Sequence, residues 1–220
     1  MHIVMSFMVY IIGHKPMIVM GSIDIDPVFW FNLNSERKFA ATFSALIIVF
    51  AATCAVWSGL RTEKRRLMLL GWFMLGGIVF FMACDEFFEI HEQAGRYFEM
   101  NAHFGEATVP GWVRVMSIVV LIVMIPLGLF WWNLPKKLRV HTAIAGFVFL
   151  TGAMGIEIIS SKFVSINGAE NFAYMLIIAA EESMEMLGIL ILIDAFMLHL
   201  SLESTDQYQS EHSTLVLPTA

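Results

Sequence analysis

Charge is what this sequence has least of. Of 220 residues only 15% are Asp, Glu, Lys or Arg, against 58% hydrophobic, and the mean hydropathy is +0.74. That balance lies outside the range of a soluble globular domain. Cysteine is nearly absent. Cys54 and Cys84 both fall inside apolar runs, at different depths, which argues against a disulfide framework and against a thiolate metal cluster. Basic residues are outnumbered, 13 against 19 acids for a net charge of -6, which argues against a nucleic-acid partner and a polybasic lipid-binding surface. The extreme N-terminus has no basic segment of the kind a secretory signal needs, and no internal repeat is apparent.

What is present is apolar sequence in long blocks. A helix needs about 20 largely apolar residues to span a hydrocarbon core. Five runs meet that length: 39 to 60, 67 to 88, 111 to 132, 140 to 160 and 171 to 200. The fold class expected is an all-α, polytopic transmembrane bundle of about five spans, occupying residues 39–200. Residues 1–38 read as an interfacial or re-entrant segment, because "IVMSFMVYII" is too short to span and Gly13, His14, Lys15 and Pro16 interrupt it. Residues 201–220 read as a polar, flexible tail.

Orientation follows from the loops. "RTEKRR" and "NLPKKLR" are short and basic, so the positive-inside rule puts them, and the C-terminus, on the cytoplasmic side. Arg37 and Lys38 at the outer start of the first span are the contrary signal. The third span carries no acid, ends in a Trp pair and contains Pro126, and reads as lipid-facing and structural.

The acids then gather on one side. "ACDEFFEIHEQ", residues 83 to 93, ends the second span with Asp85, Glu86, Glu89, His91 and Glu92. On a continuous helix Asp85, Glu89 and Glu92 share one face, Glu86 lies beside it, and His91 points away unless the helix has ended. The fourth span adds Glu157, near Gly152 and Gly155, which allow close helix contact. The fifth adds Glu181, Glu182 and Glu185 on one side, and Glu36 stands at the outer start of the first.

A solvated helix end accounts for Glu89, His91 and Glu92 as well as any site does. It does not account for Glu181, Glu182 and Glu185, each costing roughly 2.5 to 3.5 kcal/mol if ionised near mid-membrane. No Lys or Arg occurs within residues 67–88 beyond the boundary, 140–160 or 171–200; Arg96, Arg114 and Lys162 lie only near the outer edge. Such carboxylates take up protons or bind a cation.

Carboxylates with imidazole and no thiolate suit oxygen-loving or borderline cations. The expectation is therefore a site for a metal ion, iron, zinc or manganese, with Asp85, Glu89, His91, Glu92, Glu157, Glu181 and Glu185 as ligands. Glu86 and Glu182 would move protons for a bound water or for oxygen acting on a lipid-like substrate. No Glu-x-x-His occurs, so the ligand pattern of a di-iron bundle is missing. The 16 methionines are scattered, as core filler is. Asp194 and His141, His199 and His212 lie toward the inner side, away from the acids, and read as interfacial or tail residues. His103 is the other outer histidine.

"NLNSERKFAATFSALIIVF", "DEFFEIHE" and "EESMEMLGILILIDA" together resemble a group of bacterial multi-pass membrane proteins. That group shares D-E-x-x-x-x-H-E on one span and E-E-x-x-E-M-L-G on another. The resemblance covers most of the chain from about residue 32 and implies architecture, a bacterial inner membrane and the named acids, but no reaction. The group often has Asn-Pro-Thr where this chain has Phe39-Ala40-Ala41, and often begins with a complete extra span. Two other readings stay open: a proton- or cation-coupled transporter or channel, and a non-catalytic subunit of a larger membrane complex. Expected partners are membrane lipids and a membrane-protein partner or second copy, with no nucleic acid.

Overall fold

A computed structural model describes residues 39–62, 66–101, 109–168 and 171–215. The N-terminal segment, Glu36 and His103 lie outside the described residues. The described chain is helical throughout: α1 (Phe39–Arg61), α2 (Arg66–Phe88), α3 (Ile90–Asn101), α4 (Gly111–Trp132), α5 (Lys136–Leu150), a π-helical segment (Thr151–Ile156), α6 (Glu157–Asn167) and α7 (Phe172–Leu215). Among the described residues, four helical stretches are long and apolar enough to cross a membrane: Ala41–Arg61, Arg66–Phe88, Gly111–Trp132 and Lys136–Asn167. The fifth expected run is the first part of α7, which is set apart by its glutamates and continues as helix to Leu215, into the stretch expected to be a tail.

Small residues decide which helices touch. α1 and α2 form a hairpin in which a side chain on Gly76 would meet Val56 at 2.8 Å, and one on Gly59 would meet Trp72 at 2.8 Å. α5 and α7 meet closer still. A Cβ on Gly188 would lie 2.8 Å from the Phe149 backbone nitrogen and 2.9 Å from the Ala145 carbonyl. Without a hydrophobic drive between helices in lipid, such close backbone approach supplies the packing energy.

Two apolar layers fill the bundle. One holds Trp72, Phe130, Leu134, Leu138, Ala195 and Phe196; the other holds Ile48, Ala51, Ala52, Val79, Ala83 and Ile189. α4 is peripheral, burying only Gly111, Val113 and Phe130 and exposing Leu121, Ile125, Leu129 and Trp132. That agrees with a lipid-facing helix, and α4 runs helically through Pro126. The layers separate two polar regions, an acidic end and an end next to the basic loops.

Candidate functional site

The acidic end is built from α2, α3, α4, α6 and α7. α2 stops at Phe88, and Glu89 adopts a left-handed backbone with φ of 55°. A side chain other than glycine pays about 1–2 kcal/mol for that conformation. His91 then donates its backbone N–H to Asp85 Oδ1 at 2.7 Å, and its ring Nδ1 lies 2.9 Å from Asp85 Oδ2. With an aspartate as acceptor, Nδ1 carries the proton and Nε2 is the remaining ring atom. The stripe of Asp85, Glu89 and Glu92 expected from one continuous helix is therefore interrupted at Glu89, and His91, expected to point away, is joined to Asp85.

Burial pulls the His91 pKa down, but the hydrogen bond and charge of Asp85, with the charges of Glu92 and Glu86, outweigh it and leave the pKa above its ordinary value. The imidazole also packs on Trp112, ring centres 4.7 Å apart. Trp112 in turn donates its indole N–H to Glu157 Oε1 at 3.4 Å, and Ser160 donates to Glu157 Oε2 at 3.2 Å. Trp112 is a site residue that sequence reasoning missed. An aromatic at the first turn of an acid-free span carries no mark that separates it from an interfacial anchor.

Glu157 follows the π segment directly. That segment is where α5–α6 crosses α7: a Cβ on Gly152 would stand 3.1 Å from both the Glu181 carbonyl and the Glu185 nitrogen. The carboxyl groups of Glu157 and Glu181 stand against each other across two helices. Two carboxylates side by side repel unless a proton or a cation lies between them. Glu182 interacts electrostatically with Glu86, and Glu185 with Glu86, Glu157, Glu181 and Glu182. The Tyr174 side chain feels Glu157, Glu181 and Glu92.

The structure thus brings together Glu86, Glu157, Glu181, Glu182 and Glu185, with the Asp85–His91 pair beside them and Glu92 nearby; Glu89 occupies the break. Among the described residues, no three His, Cys, Asp or Glu side chains converge as ligands for one metal ion. The acids interact as one cluster through their charges instead. One turn below Glu185, Ile189 is 1% exposed and belongs to the apolar layer that closes the site from the other end.

A helical bundle with several spans' worth of apolar helix and an acid cluster at one end defines an all-α membrane protein. The chain belongs to the family of the domain of unknown function DUF8692, whose model matches residues 4–200. No curated protein and no solved structure matches the chain.

Proposed function

We propose that this chain is a multi-pass protein of the bacterial inner membrane whose glutamate pairs bind and release protons, as in a proton- or cation-coupled transporter. The observation that carries the reading is the apposition of the Glu157 and Glu181 carboxyl groups from two helices. A proton held between them joins the helices, so gaining or losing it changes the attraction between them. The apolar floor under Glu185 is what a carrier closed at one end requires and an open channel does not. The partly exposed Asp85–His91 pair beside the acids is the group suited to exchange protons with water. Purified protein in liposomes carrying a pH-sensitive dye tests this: wild type dissipates a pH gradient and Glu181→Gln does not. Equal flux in both, or none in wild type with any co-ion, removes the reading.

A metal-dependent enzyme acting on a lipid-like substrate is the second reading, favoured by one specific feature. A carboxylate holding Nδ1 of an imidazole, as Asp85 holds His91, is the usual support of a metal-ligating histidine. Iron, zinc or manganese would then recruit Glu86 or Glu182 as further donors or proton carriers. Stoichiometric metal in the purified wild type, lost in Asp85→Ala, would replace the proton reading with this one.

A further inference from the structure

The whole-chain charge of -6 hides a local excess of the opposite sign. "NLPKKLR" joins α4 to α5, and no Asp or Glu occurs from residue 107 to residue 156, so Lys136, Lys137 and Arg139 have no acid near them in sequence. The fold supplies none either: among the described residues, no carboxylate pairs with any of the three. The first turn of α5 holds no acid, and cations placed there meet the positive end of the helix dipole. The other basic loop differs. "RTEKRR" contains an acid of its own, and Glu203 Oε1 stands 3.4 Å from the hydroxyl of Thr62 within it.

The turn that carries the three cations is held firmly. Leu134 and Leu138, four residues apart, are buried in the apolar layer with Phe130, which leaves Lys136 and Lys137 exposed. Trp131 donates its indole N–H to the Arg139 carbonyl at 3.0 Å. The Arg139 guanidinium lies 5.9 Å from the Trp131 ring centre and 5.6 Å from that of Trp132. One of its N–H groups reaches the Trp132 carbonyl at 3.5 Å, which uses one of five donors. A guanidinium fixed against rings in this way presents a fork that matches two phosphate oxygens. Trp132 is exposed, as an indole at headgroup level is.

Below the cations the surface turns apolar. Lys136, Val140, Ile144 and Phe147 fall on one face of α5 by helical spacing, and all three apolar members are exposed. A cationic head above an apolar stripe matches an anionic headgroup with a hydrocarbon tail. A free phosphate ion would use only the upper half.

We propose that the turn between α4 and α5 binds one anionic phospholipid of the adjoining leaflet. Arg139, Lys136 and Lys137 hold its phosphodiester, and an acyl chain lies along Val140, Ile144 and Phe147. Basic pockets at the membrane boundary of helical proteins recognise lipid headgroups by the same chemistry. The surface shares no residue with the acidic end, so it stands whether or not the glutamates carry protons.

The test is native mass spectrometry of the full chain released from detergent micelles, titrated with phosphatidylglycerol or with phosphatidylcholine of the same acyl chains. Wild type is expected to retain one phosphatidylglycerol in preference to phosphatidylcholine. About fivefold of that preference should be lost for each of the three cations changed to Gln, so about 100-fold for all three. Lys136→Gln/Lys137→Gln changes only exposed positions, keeps the fold and should lose about 25-fold. Arg61→Gln/Arg66→Gln should retain the preference. No headgroup preference in wild type, or an undiminished one in Lys136→Gln/Lys137→Gln, overturns the proposal. An equal loss in Arg61→Gln/Arg66→Gln reduces the effect to net charge and overturns it too. Inorganic phosphate should fail to displace the lipid at equal concentration; displacement would make the site one for the free ion and overturn the lipid assignment.

Discussion

The two ends of α7 solve the same problem with opposite means. At the acidic end, polar groups are many and come from five helices: Asp85 holds His91, Trp112 and Ser160 hold Glu157, and Glu157 stands against Glu181. At the basic-loop end the described groups include a single buried histidine, His199, stacked on Trp72 with Glu203 Oε1 3.4 Å from its Nε2, and the buried Trp72 Nε1 makes no hydrogen bond. The difference teaches that a bundle can hold polar groups in two ways, by crowding them together or by walling them in with rings.

The largest expected effect separates the ends by function. Glu181→Gln should reduce proton flux in liposomes by about 100-fold or more, the range that positioned proton-transfer groups contribute. Glu203→Gln, at the other end of α7, should leave that flux unchanged. Next comes Gly188→Leu, which drives a branched side chain into the Phe149 and Ala145 backbone between the two ends. Overpacking of this kind costs about 1–3 kcal/mol, and here it must part α5 from α7, so both ends should lose stability together in a detergent melt.

Asp85→Asn is a smaller and more local probe. The His91 pKa lies above its ordinary 6.5, so the pair with Asp85 stabilises the fold fully below that value and progressively less as pH rises through the raised pKa. Thermal stability of wild type should therefore fall, relative to Asp85→Asn, between mildly acidic and alkaline pH. The gap at low pH should be about 1.5–3 kcal/mol, the scale of a hydrogen bond to a charged group, and titration at the basic-loop end should not alter it. Smallest is Glu89→Val against Glu89→Asn. Asparagine tolerates the left-handed backbone and valine does not, so valine should be the less stable by about 1–2 kcal/mol in the same melt.

Much of the helical frame was legible, because apolar runs of this length have one reading in lipid and glutamates at helical spacing fall on one side of α7. Gly152 beside Glu157 likewise marked a close crossing. What could not be read were departures from the regular helix. Nothing in "FFEIHE" announces that Glu89 will take a backbone glycine prefers, since the gain that offsets it, two bonds from His91 to Asp85, is tertiary. Residues 151–156 contain no proline and no insertion that one sequence alone would reveal. His199 looked like a boundary residue because it follows Met197 and Leu198 near a helix's polar end. Its burial depends on Trp72, more than a hundred positions earlier.

The π segment has a consequence for descent as well as for shape. A wider turn holds one residue more than an α-helix needs to cover the same rise. Deleting a single codon between Thr151 and Ile156 would let the segment close into a regular α-helix with the flanking residues kept near their present register. Glu157 would then stay on its face, and what would change is the widened turn that carries Gly152 past the Glu181 carbonyl. In comparisons among relatives, a one-residue gap at this point therefore marks a repacked helix crossing around an intact glutamate.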